Sequence, residues 1–228
     1  MNSLIGDSRV RGLRSGKLSN LISDIWCVPG AKLSSLENNI RDTVILHHGE
    51  DEYDGKLHIY ISAGICDLTK RLKSQNYQEV IFETLKRDSA ITRVKGLLNE
   101  MNTLTLNQNA VPVFCTVYPM SLRDWNTSRL RHKKTNKLNH ENEYPNMQRS
   151  LEETIEIINN FIYSLNKQNK ISTPDINKTL KHNRGKGNHS YKYNLLKDGC
   201  HPNDLMKIKI KECLVQAMDK NRTGIKHL

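Results

Sequence analysis

Two short motifs near the ends of the chain combine residue types that could carry out nucleophilic chemistry. Gly6-Asp7-Ser8 follows the first apolar run, and Asp198-Gly199-Cys200-His201 precedes the last amphipathic segment. A serine at a helix N-terminus lies where backbone N–H groups and the helix dipole favour developing negative charge. An aspartate three residues before a histidine can fix the imidazole tautomer, so that the other ring nitrogen can face a serine. Either motif alone also fits an ordinary turn, but together they point to one reactive site.

The elements that must position these motifs form an α/β pattern, in which short apolar runs alternate with longer amphipathic ones. Residues 59–63 and 113–117 are almost continuously apolar, as expected for strands that helices cover on both faces. We therefore predict a three-layer α/β/α sandwich with about five mainly parallel strands, whose carboxyl ends share one edge. The predicted strands are Asn2–Ile5, Asp24–Val28, Thr43–His47, Leu57–Ala63 and Val111–Tyr118.

Helices are predicted between these strands and after them. A first helix is expected over Arg9–Leu21, and apolar residues near helical spacing predict one or two helices within Tyr77–Met101. Ser150-Leu151-Glu152-Glu153 has the form of a capping box, so a long amphipathic helix should begin there. A last helix should follow Pro202.

Four blocks of the chain, taken in order, resemble those of the SGNH (GDSL-type) hydrolase superfamily, whose fold is flavodoxin-like. Gly6-Asp7-Ser8 resembles the nucleophile block, and Pro29-Gly30-Ala31 resembles the block whose glycine belongs to the oxyanion hole. Ala63-Gly64-Ile65-Cys66-Asp67-Leu68 is similar to the Gly-x-Asn-Asp block, and Asp198-Gly199-Cys200-His201-Pro202 to the closing Asp-x-x-His block. The absence of a Gly-x-Ser-x-Gly motif argues against the α/β-hydrolase fold.

The resemblance implies a serine esterase that acts on small acyl groups, with acetyl esters as the expected substrates and no cofactor. It implies Ser8 as nucleophile, His201 as general base and Asp198 as the residue that orients His201. The backbone N–H groups of Ser8 and Gly30 would stabilise the oxyanion. At the position of the family's third donor, an asparagine, this chain has Cys66, and a thiol is a weak hydrogen-bond donor.

The departure at Cys66 leaves several interpretations open. A neighbour such as Asn76 could supply the missing donor, the enzyme could be slow, or catalysis could have been lost. Cys66 could also act as a nucleophile or pair with Cys200, although a small buried residue is the simpler interpretation. The cysteines are odd in number and form no C-x-x-C pair, so free thiols are expected.

The positive charge of the chain is concentrated in its second half. The net charge is +11, and residues 121–228 hold 21 of the 35 Lys and Arg residues but only 11 of the 24 Asp and Glu residues. We expect one SGNH-like domain over residues 1–228, with basic loops at about 121–149 and 170–195. An alternative function is therefore a catalytically weak or inactive module that binds nucleic acid or another polyanion. The candidate polyanion- or substrate-binding residues are Arg9, Arg129, Arg131, Lys133 and Lys134.

Other classes of protein are less compatible with the sequence. No run approaches the 18 or so apolar residues that a membrane span needs, and no signal peptide is visible, so an intracellular location in cytoplasm or nucleus is expected. His47 and His48 followed by acidic residues could suggest a metal, but neighbouring residues of a strand point to opposite faces, so no metal site is predicted. The first strand begins so early that the domain could come from a longer polypeptide, such as that of a mobile element or virus. Oligomeric state and natural substrate are not encoded in any recognisable pattern.

Overall fold

A computed structural model describes the protein over residues 1–48, 56–73, 78–130, 140–183 and 189–223. Short apolar runs form the strands of its central sheet. The strands are β1 (Asn2–Gly6), β2 (Asp24–Cys27), β3 (Leu57–Ser62), β4 (Lys70–Lys73), β5 (Gln78–Ile81), β6 (Ala110–Phe114), β7 (Lys181–Asn183) and β8 (His189–Tyr191). Within the described ranges, four of them form a parallel sheet in the order β2-β1-β3-β6. Gly6 pairs with Cys27 on one side and Ser62 on the other, so these strands end at the same edge.

Helices cover both faces of this sheet. The helices are α1 (Glu37–His48), α2 (Ile65–Leu68), α3 (Arg87–Asn107), α4 (Leu122–Leu130), α5 (Tyr144–Gln168), α6 (Ile176–Leu180) and α7 (Asp204–Thr223). Ile5 and Phe114 face the layer that contains α1, α3 and α5. Leu4 and Val113, their neighbours along the strands, face the layer that contains α6 and α7. The alternation places apolar residues on both faces, and the predicted three-layer α/β/α architecture is confirmed.

Two asparagines of α5 bind the backbone of β6 and of the segment that follows it. The Asn166 side chain accepts a hydrogen bond from the Phe114 N–H at 3.0 Å and donates one to the Phe114 carbonyl at 2.7 Å. Asn159, two helical turns earlier, does the same with Val117 at 2.7 and 2.8 Å. Because β6 is at an edge of the sheet, these side chains satisfy buried backbone groups that have no neighbouring strand.

The run Thr43–His47 was predicted to be a strand, and this prediction is wrong because the run lies within α1. Ile40, Val44 and His47 are buried at helical spacing, whereas Ile45 is 70% exposed. The β-branched composition favours a strand locally, but packing of one helical face against the sheet decides the outcome. The metal argument from strand alternation therefore does not apply either. The His47 Nε2 lies 2.8 Å from the Asp24 carboxylate.

The first two predicted helical segments differ from the structure. The segment Arg9–Leu21 contains two short 3₁₀ turns instead of a helix, because Gly12 and Gly16 both adopt positive φ angles. Within Tyr77–Met101, Tyr77 lies outside the described residues, and the chain forms strand β5 before α3 begins at Arg87.

The long amphipathic helix also begins earlier than the capping box indicated. It begins at Tyr144, with Pro145 in its first turn, so Ser150 lies inside the helix and its carbonyl accepts a hydrogen bond from Thr154. The helix predicted after Pro202 is confirmed as α7.

The basic stretches contain regular structure where they are described. Residues 121–130 and 140–149 include α4 and the first turns of α5, and residues 170–195 include α6 and the β7–β8 hairpin. These parts were expected to be loops, and helical periodicity was missed there because polar residues outnumber apolar ones. In the described ranges, no helix combines the length and apolar character needed to cross a membrane.

Candidate active site

Ser8 lies directly after β1, at the shared carboxyl edge of the sheet. The preceding residue, Asp7, caps the short 3₁₀ turn that carries Ser8 and accepts a hydrogen bond from the Arg9 N–H at 2.9 Å. The Asp7 N–H donates to the Ser62 carbonyl at 3.2 Å, which ties this turn to the end of β3. The Ser8 hydroxyl is therefore held at a fixed position above the sheet edge.

The structure places the His201 ring between Ser8 and Asp198, within hydrogen-bond distance of both. The Ser8 Oγ lies 2.9 Å from His201 Nε2, and His201 Nδ1 lies 2.7 Å from Asp198 Oδ2. A carboxylate at Nδ1 favours the tautomer that carries its proton there, which leaves Nε2 free to accept the serine proton. Ser8 and His201 are 193 residues apart in the sequence, and the fold brings them together.

The turn that carries His201 is organised around the Asp198 carboxylate. Its Oδ1 accepts hydrogen bonds from the Cys200 N–H at 3.1 Å and the His201 N–H at 2.7 Å. Partial burial raises the pKa of the Asp198 carboxyl, but the hydrogen bonds from the His201 ring and from the two amides outweigh this and bring the pKa to about 2. The group that orients the imidazole therefore stays ionised throughout the neutral range.

Helix α4 packs directly against this turn. The Ser121 N–H donates to the Gly199 carbonyl at 2.7 Å, and the Trp125 ring lies 5.5 Å from the His201 ring between centroids. The Arg129 guanidinium stacks over the Trp125 ring, 4.2 Å from its centroid. Trp125 thus flanks His201. Sequence reasoning missed it, since a lone tryptophan carries no motif.

The turns after β2 and β3 contain Gly30 and Cys66, the residues that the resemblance assigns to an oxyanion hole. Gly30 has a φ of 71°, and its turn is held by hydrogen bonds from Val28 N–H to Gly6 O and from Ala31 N–H to Val28 O. Among the described residues, the amides of Ser8 and Gly30 donate to no protein acceptor. Both are thus available for a ligand oxygen.

Asp67 connects the turns that follow β2 and β3. Its buried carboxylate accepts a hydrogen bond from the Leu33 N–H at 3.0 Å, three residues after Gly30, and its backbone carbonyl accepts one from Arg93. Burial raises the pKa of the Asp67 carboxyl, and the Leu33 hydrogen bond opposes this rise. Asp67 therefore positions the Gly30 turn relative to the block that contains Cys66.

Cys66 and Cys200 are both free thiols, as are the other three cysteines. Cys66 is half-buried, and burial raises the pKa of its thiol. A neutral thiol is a poor nucleophile, so these observations do not favour Cys66 as the attacking group or as half of a disulfide. Asn76, the alternative donor considered above, lies outside the described residues.

Arg9 does not occupy the surface position expected of a polyanion-binding residue. Its guanidinium is 3% exposed, makes a two-pronged ion pair with Asp7, and donates to the Tyr118 carbonyl at 3.0 Å. It also stacks on the Tyr118 ring at 4.3 Å. The structure does not support Arg9 as a contact for an anionic ligand, because its guanidinium is buried and bound to the Asp7 carboxylate and the Tyr118 carbonyl. Arg129 is exposed, and Arg131, Lys133 and Lys134 lie outside the described residues.

These elements form the fold that is seen in solved SGNH hydrolases and GDSL-type lipases, so the resemblance is confirmed for the fold. No protein-family model matches the sequence, and no curated protein matches it. Solved structures, in contrast, match almost the entire chain. The fold class therefore follows from three-dimensional similarity.

Three of these structures illustrate the similarity. A GDSL-like lipase from Bacteroides thetaiotaomicron matches with a TM-score of 0.60 at 14% identity, over 96% of this chain and 87% of that chain. A member of the lipolytic G-D-S-L family from Veillonella parvula matches with a TM-score of 0.56 at 12% identity, over 96% and 98%. A variant of an acetyl-xylooligosaccharide esterase from Geobacillus matches with a TM-score of 0.54 at 11% identity, over 95% and 93%.

Proposed function

We propose that this protein is a serine carboxylic ester hydrolase that acts on small acyl esters, with acetyl esters as the preferred class. The observation that carries the proposal is the hydrogen-bonded line from Ser8 through His201 to Asp198. The acetyl preference is supported by the acetyl-xylooligosaccharide esterase among the proteins of similar fold. Both the fold and the order of the residues at its carboxyl edge agree with this chemistry.

The proposed reaction has two halves, and each uses the same histidine. The Ser8 oxygen bonds to the acyl carbon while its proton moves to His201 Nε2, and the carbonyl oxygen becomes an oxyanion next to the free amides of Ser8 and Gly30. Collapse of the intermediate breaks the ester C–O bond, and the alcohol leaves with the proton from Nε2. Water then attacks the acyl-serine and gives a proton to Nε2. Collapse of this second intermediate breaks the bond between the Ser8 oxygen and the acyl carbon, Ser8 takes the proton back from Nε2, and the carboxylic acid is released.

Covalent labelling with a fluorophosphonate probe tests the proposal directly. The wild-type protein should be labelled and should hydrolyse p-nitrophenyl acetate, whereas Ser8→Ala should abolish both and His201→Ala should reduce both strongly. Ser164→Ala, which removes an exposed serine of α5, is the matched control and should change neither. Labelling that persists in folded Ser8→Ala protein would move the nucleophile elsewhere, and an unlabelled wild-type protein would overturn the proposal.

A second candidate function is the binding of nucleic acid or another polyanion by the basic second half. A cavity of about 520 Å³ is lined by Lys178, Lys181, His182, Lys192 and Asp175. Lys181 is already paired with Glu156 at 2.6 Å, which leaves Lys178 and Lys192, both exposed, as the cations that could meet phosphates.

Salt dependence distinguishes polyanion binding from simple solubility. Binding to RNA or DNA should weaken steeply with salt, with a log–log slope near −0.7 to −0.9 per phosphate contact. Lys178→Ala/Lys192→Ala should flatten the slope if the cavity contributes, and replacing Arg129, Arg131, Lys133 and Lys134 by alanine should do so if that segment contributes. Absence of binding at low salt would show that the charge has no such role.

A further inference from the structure

The Arg71 side chain lies on the oxyanion side of the proposed active site. Arg71 is in β4, close behind the block that contains Cys66. Its Nη2 lies 3.4 Å from the point where a Cβ of Gly30 would be, so the guanidinium stands directly over the Gly30 turn. The charge of Arg71 also acts on Cys66, where it opposes the effect of burial on the pKa of the thiol. Arg71 is therefore close to both turns that would surround the oxyanion.

The guanidinium of Arg71 is available for a ligand, in contrast to that of Arg9. Arg9 is buried and bound to the Asp7 carboxylate and the Tyr118 carbonyl. Arg71 is exposed, and among the described residues no carboxylate or carbonyl accepts a hydrogen bond from it. Lys70, its neighbour in β4, also has a protein partner, since it pairs with Glu83 at 3.0 Å. A cation without a protein partner next to the Gly30 turn creates a positive potential that favours negative charge at this edge of the sheet.

The local chemistry requires a further donor. The amides of Ser8 and Gly30 are the two backbone donors, and the third position is occupied by the neutral thiol of Cys66, which donates weakly. Arginine is permanently charged and offers several N–H donors in a planar arrangement, so it can stabilise a developing oxyanion without changing its own protonation state.

We infer that Arg71 is a catalytic residue that donates a hydrogen bond to the tetrahedral oxyanion, in place of the weak donor at Cys66. The inference rests on the proposed function, since it assigns a role within the same reaction. No additional reactant is needed, because Arg71 stabilises charge that forms and disappears during the two acyl-transfer steps. Its contribution belongs to the transition state, so it should be seen in kcat more than in KM.

A kinetic cycle of Arg71 and Cys66 variants tests this role. Arg71→Met removes the charge but keeps most of the side-chain length, and it should lower kcat on p-nitrophenyl acetate by about 10²-fold or more, with KM changed little. The kcat of Arg71→Lys should lie between those of the wild type and Arg71→Met. Adding Cys66→Asn to Arg71→Met should recover about tenfold or more, since an amide then supplies the missing donor, whereas the gain in the Arg71-containing protein should be smaller.

The controls separate this role from a structural one and from failure of the proposed function. Arg41→Met removes another exposed arginine, which pairs with Glu37 on α1, and should leave kcat unchanged. Ser8-dependent hydrolysis with an unchanged kcat in Arg71→Met would overturn the role of Arg71 alone, as would a loss that Cys66→Asn does not relieve in folded protein. Absence of Ser8-dependent hydrolysis in the wild type would overturn both this role and the proposed function.

Discussion

Gly199 lies so close to Trp125 that a Cβ at position 199 would be 2.6 Å from the Trp125 backbone nitrogen. The same Cβ would be 2.9 Å from the Ser121 carbonyl oxygen, and Gly199 has a φ of 81°. Glycine is thus required both by the backbone conformation and by the close approach of α4. The contact fixes the turn that holds Asp198 and His201 to a helix that is distant in sequence.

Gly199→Ala should therefore damage both stability and activity. Separation of the turn from α4 should lower kcat, because it moves His201 relative to Ser8, and should lower the melting temperature. Gly12→Ala is the matched control, since Gly12 has a similar φ of 75° but no atom within 4 Å of its added Cβ. This control should cost only about 1–2 kcal/mol of backbone strain and leave kcat unchanged. Equal changes of kcat and melting temperature in the two variants would show that the contact with α4 does not affect activity.

The buried ion pair between Asp7 and Arg9, on both sides of Ser8 in the sequence, should be essential for the stability of the protein. Arg9→Met leaves the Asp7 carboxylate, which is 1% exposed, without its partner, and should cost about 3–5 kcal/mol of unfolding free energy. Asp7→Asn/Arg9→Met should recover part of this loss, because no unpaired charge is left inside. Chemical denaturation measures the unfolding free energies of the wild type, Arg9→Met and Asp7→Asn/Arg9→Met. Arg11→Met, which changes an exposed arginine, is the control. A small loss in Arg9→Met would contradict the burial of this pair.

Asn159 should matter both for stability and for the site. Asn159→Ala leaves the N–H and the carbonyl of Val117 unpaired in the interior, and each such group costs about 1–3 kcal/mol. A Cβ at position 64 would be 3.0 Å from the Val117 Cγ2, so Val117 lies close to the Gly64 turn, and a shifted Val117 should displace this turn and lower kcat. Asn160→Ala, at the neighbouring exposed position, should change neither the unfolding free energy nor kcat.

The low pKa of Asp198 predicts a loss of stability in acid. The folded-state pKa of about 2 lies below the ordinary value of 3.8, so the ionised carboxylate stabilises the folded protein. This stabilisation is complete above about pH 4 and is lost as the pH falls through 2.

Urea unfolding between pH 5 and pH 2 measures this effect. Asp198→Asn should show a shallower decline than the wild type over this interval, because it has no carboxylate to protonate. Asp42→Asn, which changes an exposed aspartate of α1, should follow the wild-type curve. Identical curves for Asp198→Asn and the wild type would mean that the carboxylate is not stabilised in the fold.

The site residues that could be recognised from the sequence are those whose position follows from strand order. Ser8, Gly30 and Gly64 each follow a short apolar run, and parallel strands end at one edge, so their convergence is predictable from the order of the runs. Asp198 and His201 could be paired for a similar reason, since three residues of one turn bring them together. Local spacing was sufficient for these features.

Other features depended on contacts between distant segments, which no local pattern encodes. Thr43–His47 has the composition of a strand but became helical because one of its faces packs on the sheet. Arg9 looks like a surface cation, yet the position of Tyr118 and Asp7 encloses it. The places of Trp125 beside His201 and of Arg71 over Gly30 were likewise decided by tertiary structure. Periodicity and motif spacing report the interactions of a residue with its own segment, whereas burial and side-chain partners are set when separate segments pack together.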